Sequence, residues 1–357
     1  MLLSDGYSLS WHSLIIFFDM KTCRYCLLFL IIMCVSCSSP KQDVSRISNP
    51  SYTVVTDSIY TRLPGDVLYQ NGLLYWYDPF SAENFLHVVN AETGKEEVGF
   101  GNMGQGPIDF SFPMFSLSPS HGIYVNDLNK NLEILYQWNE EEDSLSVFPT
   151  VYKNNPNAFR ISCIDDQTKI LLCPENEKLF DVIAKNGETV SFGDRPIKDD
   201  ILNAYDVFKG CLAYNPLKNL LLYANNKYPY IGVYKRNSWN DWTLFAERKP
   251  ECEYRIVEGE LNFDSDTSYG SLEIALTKDC VVLSQFDFET EEYVERGNVG
   301  RDVESMPRSL FVYDYELNLK KIINFSFPIF RLCGDPETNT VYAIIVNPEY
   351  ELIKIAL

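Results

Sequence analysis

The sequence predicts an all-β fold, namely a ring of six four-stranded antiparallel blades known as a β-propeller. Three observations predict it. Aromatic residues make up 14% of the 357 residues, with 23 Tyr and 22 Phe, and such rings favour the pleated surface of a strand. From about residue 51 onward, short apolar runs alternate with turns rich in Asn, Asp, Gly and Pro. A pair of strands also recurs every 47 to 60 residues, which is typical of propeller blades.

The repeating unit is an apolar run, a short polar turn and a second apolar run that ends in Asp, Asn or Glu. One apolar position marks the second run of each unit, and the six markers are Tyr75, Tyr124, Leu171, Tyr223, Val282 and Tyr342. Two further strands follow each of the complete units, as "LEILYQW" and "SLSVF" follow Asp127. A blade therefore contains strands a, b, c and d, with strand a nearest the central channel.

The ring is expected to close through its N-terminal strand. The sixth unit is followed only by "YELIKIAL", so the last blade lacks a fourth strand. The stretch "SYTVVTDSIY", residues 51–60, is one strand more than the first blade needs. Pairing of this surplus strand with the last blade would remove an open sheet edge, which otherwise exposes unpaired amides and carbonyls.

The N-terminus has the pattern of an export signal. Lys21 and Arg24 precede the apolar residues 27–33, a run too short to span a bilayer. Small residues and then Cys37 follow, before a polar stretch. This segment resembles a bacterial lipoprotein signal, although Cys34 stands where that family usually has Leu. The resemblance implies cleavage before Cys37, acylation of its thiol, and attachment to the outer membrane on its periplasmic or cell-surface side.

The predicted organisation therefore has three parts. Residues 1–36 form the signal peptide, with the start of translation expected at Met20 because the basic residues then lie at the beginning. Residues 37–50 hold the lipid-anchor cysteine and a polar tether, and residues 51–357 form the propeller. An ordinary secretory signal followed by a chance cysteine is the alternative interpretation of the first part.

Charge and cysteine content limit the partners. The formal net charge of −20 disfavours binding to nucleic-acid phosphates and suits a neutral or cationic partner. Six cysteines follow Cys37, and most lie inside apolar runs, where a thiol commonly serves as a small buried hydrophobe. Export permits disulfides, but the spacing predicts no particular pairing.

The stretch "GNMGQGPIDF", residues 101–110, is rich in glycine without being a phosphate loop. A phosphate loop needs a helix downstream and usually a lysine, whereas here a strand follows and no Lys or Arg occurs before Lys130. We therefore predict a bend from strand d of the first blade to strand a of the second. Within it, Gly104, Gly106, Pro107, Asp109 and Phe110 resemble a "GxGPxEF" signature.

That signature is found after the first blade in six-bladed propeller lipoproteins of Bacteroidetes, a largely uncharacterised group related to TolB-like and NHL-type propellers. Asp109 stands where the group usually has Glu. With the signal segment and the sixfold period, the resemblance covers nearly the whole exported chain. It implies the fold and the location, and it implies no established activity.

One face of the predicted ring carries the candidate site, because the d-to-a and b-to-c links both emerge there. The two longest links, about residues 247–271 and 286–308, meet on this face at blade five, and long loops on a regular scaffold are commonly functional. The b strands end there in a candidate ring for a cation or sugar hydroxyls, made of Asp78, Asp127, Glu175, Asn226 (or Asn225), Asp287 and Asn347. Ordinary turn chemistry of Asp and Asn is the alternative explanation.

Other chemical signals are weak. The segment from Asp264 to Gly270 is similar to a calcium loop, but Gly comes one place late and Ala275 occupies the position of the final Glu. His87 and His121 have no nucleophile motif beside them. Four aromatic residues near turns are candidates either for stacking on sugars or for packing between blades: Trp138, Tyr228, Trp239 and Trp242.

Two functions are consistent with these features. The first is a lipid-anchored binding or scaffold propeller for a protein, peptide or glycan. The second is a metal-dependent hydrolase or lactonase that uses the polar ring at the channel mouth, with Ca²⁺ as the candidate ion. No motif requires a cofactor, and no catalytic residue is assigned.

Overall fold

The computed structural model describes residues 44–81, 83–118, 122–139, 144–151, 158–264, 269–292, 295, 298–300 and 302–357. The chain divides into two units, Met1–Asp43 and Val44–Leu357, and every described residue belongs to the second. The signal segment and Cys37 therefore lie outside the described residues. Within the described part, no helix is long and apolar enough to cross a membrane.

Six four-stranded antiparallel blades form the fold, as the repeat predicts. The strands of blades one to three are β3 (Val67–Gln70), β4 (Leu73–Tyr77), β5 (Glu83–Asn90), β6 (Glu96–Asn102), β7 (Pro113–Ser118), β8 (Gly122–Asp127), β9 (Leu132–Asn139), β10 (Ser144–Val151), β11 (Arg160–Asp165), β12 (Thr168–Leu172), β13 (Lys178–Ala184) and β14 (Thr189–Asp194). Those of blades four to six are β15 (Gly210–Asn215), β16 (Leu220–Asn225), β17 (Ile231–Arg236), β18 (Trp242–Arg248), β21 (Glu273–Leu276), β22 (Val281–Gln285), β23 (Ser309–Tyr313), β24 (Leu319–Asn324), β25 (Ile329–Gly334), β26 (Thr340–Val346) and β27 (Tyr350–Ala356).

The first strand of each blade lies innermost. Contacts run from β3 to β7, β11, β15, β21 and β25 and back to β3, so these six strands close a ring around the channel. The links carry two further elements, the helix α1 (Ala204–Phe208) before β15 and the hairpin of β19 (Tyr254–Val257) and β20 (Glu260–Phe263) before β21.

The N-terminal strand closes the ring, which confirms the sequence prediction. Strand β2 (Thr53–Thr56) pairs antiparallel with β27, with Val54 opposite Ile353, and supplies the fourth strand of blade six. A second strand was not predicted. Strand β1 (Ser45–Ser48), within the polar segment interpreted as tether, pairs in parallel with β24 and gives blade five a fifth strand.

The core consists of six apolar clusters in the described residues, one between each pair of neighbouring blades. Phe85 and Phe115 meet between blades one and two, for example, and Trp76 and Tyr342 between blades one and six. The other four clusters fill the remaining wedges. Large rings suit these wedges because adjacent twisted sheets diverge away from the channel.

Candidate functional site

Asp127, a member of the predicted polar ring, is a buried structural carboxylate. Its Oδ2 accepts hydrogen bonds from the backbone N–H of Ser111 (2.5 Å), the Ser111 hydroxyl (2.9 Å) and the N–H of Phe112 (2.9 Å). Its Oδ1 accepts from the N–H groups of Asn129 and Lys130, at 2.9 and 3.1 Å. Burial acts to raise the pKa of Asp127, but the bonds from Phe112 and Ser111 outweigh it and hold the pKa below its ordinary value.

Asp78, Asn225 and Asp287 occupy equivalent b-strand ends and also hold their own turns. Asp78 Oδ1 accepts from the N–H of Phe80 and from Thr61, while Asn225 Oδ1 accepts from the N–H of Lys227. Asp287 Oδ2 binds two side chains from outside the turn, the guanidinium of Arg46 on β1 and the amide of Asn324 on β24. Turn chemistry therefore accounts for the backbone N–H groups that these three side chains accept, while Asp287 also connects its turn to β1 and β24.

The remaining ring positions differ from the prediction. Strand β12 ends at Leu172, so the residue after it is Cys173. The N–H of Cys173 donates to the carbonyl of Leu179, just as the N–H of Asp78 donates to the carbonyl of Phe85. Cys173 is therefore the equivalent of Asp78 in blade three. Glu175 lies two residues further on and is exposed. Asn226 follows the true turn residue Asn225 and donates to the carbonyl of Ser271 at 2.5 Å.

Asn347, the sixth ring position, is exposed, and its N–H donates to Glu349. The predicted ring residues thus lie at different depths, and some face neighbouring links instead of the channel. Among the described residues, no group of three or more His, Cys, Asp and Glu side chains is placed to hold one metal ion. In the segment similar to a calcium loop, Asp264 pairs with Arg255, and residues 265–268 lie outside the described residues.

In the glycine-rich bend, the carboxylate of Asp109 lies against Gly104 and Gly106. Asp109 Oδ2 accepts the N–H of Gly106 at 2.6 Å, and Phe110, which is fully buried, pairs back to Asn102. A Cβ atom on Gly104 or Gly106 would lie 2.7 or 2.5 Å from that carboxylate, so a side chain at either position would displace the carboxylate of Asp109. The motif is thus a compact link between β6 and β7, in which the Asp109 carboxylate binds the N–H of Gly106.

Lys130, from the b-to-c turn of blade two, completes this bend. Its ammonium donates to the carbonyl oxygens of Gly104 (2.6 Å) and Asp109 (2.8 Å). The lysine absent from the loop sequence is therefore supplied by the next blade and binds backbone carbonyls.

The aromatic candidates serve mainly in packing. Trp242 is buried and stacks on Phe192 with ring centroids 5.1 Å apart, between blades three and four. Tyr228 is fully buried in the same wedge, whereas Trp239 is half-buried and uses its carbonyl to accept the Trp242 indole N–H. The side chain of Trp138 lies outside the described residues. None of the six described cysteines, 163, 173, 211, 252, 280 and 333, forms a disulfide with another.

Four charged side chains from four blades meet where the innermost strands begin. Arg160 begins β11, and its Nη1 lies 2.6 Å from Oδ2 of Asp66, which precedes β3. Arg331 of β25 places Nη1 2.9 Å from Oε1 of Glu273, the first residue of β21. Arg331 Nε is also 4.0 Å from Asp66 Oδ1, so the groups form one chain of alternating charge. We name Asp66, Arg160, Glu273 and Arg331 the channel quartet.

The two carboxyl groups of the channel quartet differ in proton affinity. Burial raises the pKa of Glu273 to about 7, although Arg331 and Arg160 act to lower it. Burial also acts to raise the pKa of Asp66, but Arg160 and Arg331 outweigh it and hold the pKa below its ordinary value. Asp66 contacts both guanidinium groups, whereas Glu273 contacts one. Asp66 is therefore ionised at neutral pH, while Glu273 exchanges its proton near neutrality.

A cavity of about 770 Å³, which we name the rim cavity, opens over the quartet on the face of the d-to-a and b-to-c links. Arg160, Glu273 and Arg331 lie at its channel side. Asp206 and Lys209 contribute from the region of α1, and Lys227 from the turn after β16. The lining thus carries four cationic and two anionic side chains, although the chain as a whole has a net charge of −20.

The two long links that the sequence singled out supply part of the walls of the rim cavity. The hairpin β19–β20 contributes Leu261 and Phe263, and the b-to-c link of blade five contributes Val299 and Met306. Both links do lie on the predicted face. Each guanidinium of the quartet is also supported by a ring, since Arg160 lies over Phe159 (5.7 Å) and Arg331 over Phe330 (4.7 Å).

A second cavity, of about 480 Å³, lies at the other end of the innermost strands and is named here the lower cavity. It is lined mainly by apolar side chains, which include Leu68, Leu117, Ile161, Leu212, Ile274 and Leu332. The two cavities therefore differ in character, one charged and one apolar.

The channel quartet was missed because the sequence interpretation followed the ends of the b strands. A signal was available one strand earlier in each repeat. Four of the six a strands have a charged residue within them or directly before them, as in "DVLYQ", "RISCI", "LEIAL" and "FRLC". Such residues next to the central axis are expected to meet each other when the ring closes.

Comparisons with known proteins support the fold. No protein-family model matches the chain, and no curated protein matches it. A solved structure of a DUF4221 family member from Bacteroides vulgatus is 12% identical with a TM-score of 0.57, over 88% of this chain and 98% of that one. An exported protein from Bacteroides fragilis is 9% identical with a TM-score of 0.53, over 87% and 98%. At such identities the likeness shows a shared fold alone.

Proposed function

We propose that this protein is an exported, lipid-anchored propeller that acts as a binding or scaffold module for a protein, peptide or glycan, and that its ligand enters the rim cavity. The observation that carries the proposal is the rim cavity itself, in which half-buried charged side chains from four blades converge beneath long links. Cavities that combine apolar walls with a few convergent polar groups are the usual form of ligand sites.

The location rests on separate support. The N-terminal segment resembles a lipoprotein signal with its acceptor at Cys37. One of the similar structures is described as an exported protein from Bacteroides fragilis, which agrees with an extracellular or periplasmic role. The acidic net charge favours solubility of such a domain outside the cytoplasm.

A peptide and glycan array screened with the purified full chain tests the proposal. We expect ligands whose signal falls at least about tenfold for Arg160→Gln, because a charge-assisted hydrogen bond in the cavity is lost. The matched control is Arg236→Gln, since Arg236 also pairs with an aspartate at 2.6 Å (Asp165), outside the rim cavity. An array with no ligand, or with ligands equally weakened by both variants, would contradict the assignment of the site.

A further inference from the structure

The chemistry of the rim cavity identifies a class of ligand, an inference that rests on the binding role proposed above. We propose that the rim cavity binds a carboxylate carried on an apolar body, as presented by the C-terminus of a peptide ending in an apolar residue, and that Glu273 takes up a proton when it binds.

The first step is the charge of the cavity. Its lining has four cationic side chains against two carboxylates, and Glu273 is one of those carboxylates. Arg331 forms ion pairs with Glu273 and Asp66, and its Nη1 also donates to the carbonyl of Phe330. The Nε atom of Arg331 is buried without a hydrogen-bond acceptor among the described residues. Guanidinium groups match carboxylates in bidentate geometry, so an incoming carboxylate is the group that best completes this arrangement.

The second step is the character of the accessible walls. The half-buried side chains that face the cavity include Leu63, Phe159, Phe263, Leu272 and Val299. Tyr269 lines the cavity too but is 5% exposed, so its ring offers little open face. Sugar sites favour open aromatic platforms beside many polar groups, whereas these aliphatic and Phe surfaces suit an apolar side chain next to the carboxylate.

The third step is to identify the group that gains or loses a proton near neutral pH. The groups that act on Glu273 are the quartet members Arg331, Asp66 and Arg160, together with Tyr77, Cys211 and Cys333. Burial raises the pKa of Cys211 to about 12, and it also raises the pKa values of Tyr77 and Cys333, so none of the three ionises near neutrality. The proton exchange between pH 6 and 8 therefore belongs to Glu273.

Protonation of Glu273 removes the anion that competes for Arg331. The ligand carboxylate then takes its place beside the guanidinium, and the proton on Glu273 prevents repulsion between the two carboxyl groups. Binding should therefore strengthen as the pH falls. The protonated fraction rises from about a tenth at pH 8 to about nine-tenths at pH 6 for a pKa of about 7, so the affinity should rise about tenfold.

Calorimetric titration of the full chain tests these steps with defined probes. The first probe is a pool of five-residue peptides that end in Leu or Phe with a free carboxylate, and the second is the same pool as C-terminal amides. N-acetyl-leucine separates a small acid from a peptide end, and glucuronate and inorganic phosphate represent other anions. We expect the free-acid peptides to bind and the amides to bind at least about tenfold more weakly.

Variants test the residues. Glu273→Gln should bind the peptide acids at pH 8 as tightly as the wild type does at pH 6, with no further gain on acidification. Lys209 is half-buried in the cavity lining and contacts no member of the quartet. Lys209→Gln should weaken binding while the quartet stays intact, so it tests the site even if quartet variants misfold. Arg236→Gln should behave as the wild type.

The outcomes separate this inference from the proposed function. Equal binding of acids and amides, or glucuronate or phosphate binding as tightly as the peptide acids, would overturn the ligand class while a binding role remained. N-acetyl-leucine binding as tightly as the peptides would assign the site to small acids. A wild-type affinity that does not change between pH 8 and 6 would refute the role of Glu273. Failure of the peptide acids to bind, with other array ligands still dependent on Arg160, would refute the inference alone.

Discussion

At the scale of single residues, the buried carboxylate of Asp127 and the half-buried carboxylate of Glu273 show how the number of hydrogen-bond donors decides ionisation. Asp127 accepts hydrogen bonds from two backbone segments, at residues 111–112 and 129–130, and keeps a lowered pKa despite its burial. Glu273 has one guanidinium partner at hydrogen-bond distance, and burial raises its pKa to about 7. The first group is therefore suited to fixing links, whereas the second is suited to exchanging a proton.

Asp127→Asn should destabilise the fold by about 3 kcal/mol, because the amide nitrogen cannot accept the N–H groups that the carboxylate binds. The loss should be largest at neutral pH. The pKa of Asp127 is lowered on folding, so its contribution is present above the ordinary aspartate range and declines as the pH falls through the folded value.

Urea denaturation of the full chain at pH 7 and pH 3 measures this effect. Asp57→Asn is the matched control, since Asp57 is exposed in a turn. A loss for Asp127→Asn no greater than that of the control would show that the five hydrogen bonds contribute nothing net.

At the scale of elements, the two N-terminal strands have unequal roles. Strand β2 supplies the fourth strand of blade six, and its residue Val55 packs in the wedge between blades six and one. Strand β1 adds an outer fifth strand to blade five, and all four of its residues are exposed. Closure of the ring thus depends on β2, while β1 covers an edge that is already outermost.

Replacement of either strand by Gly-Ser-Gly-Ser tests this difference. Replacing β2 should lower the melting temperature by more than 5 °C, about the shift for a few kcal/mol in a domain of this size. Hydrogen exchange in β27 should also accelerate, because its pairing partner is lost.

The same replacement in β1 is the internal control and should lower the melting temperature less, with exchange in β27 unchanged. The loss of Arg46, which pairs with Asp287 and Glu289, should affect only the turn after β22 that holds these two residues. Equal effects of the two replacements would contradict the assignment of closure to β2.

At the scale of the whole molecule, the propeller separates two kinds of surface along one channel. The rim cavity gathers charged side chains on the face of the long links, and the lower cavity gathers apolar ones at the opposite ends of the same strands. This polarity follows from the sequence of the a strands, which place charges at or near their beginnings and aliphatic residues further along. A ligand that enters the rim cavity therefore contacts charged side chains on the side of the cavity next to the central channel.

Membrane attachment is the remaining whole-molecule prediction, and it depends on residues outside the described part. Cells fed a fatty-acid analogue should label the wild-type protein and not Cys37→Ala, because the thiol of Cys37 is the expected acceptor. Cys34→Ala, three residues away, is the matched control and should remain labelled. Equal labelling of Cys37→Ala would exclude the predicted anchor and leave a plain secretory signal.

Much of the architecture was predictable from local patterns. Alternation of apolar and polar residues specifies strands, and the recurrence of strand pairs specifies the blade count, since both are local along the chain. Even the closure by β2 followed from a surplus strand at one end and a missing one at the other. Strand β1 was not predicted, because "SRIS" has no apolar alternation and its pairing with β24 is set by proximity alone.

The sequence by itself determined the sixfold ring, its closing strand and the face on which the long links emerge, because these depend on the period and order of strands. Only the tertiary structure decided which charged residues meet. Asp66 lies in the first blade and Arg331 in the last, yet ring closure places Oδ1 of Asp66 4.0 Å from Nε of Arg331. The tertiary structure also decided that Asp127 accepts hydrogen bonds from neighbouring backbone N–H groups, while Glu273 keeps an exchangeable proton. Burial and donor number arise from the packing of blades and links, and neither is encoded by spacing along one strand.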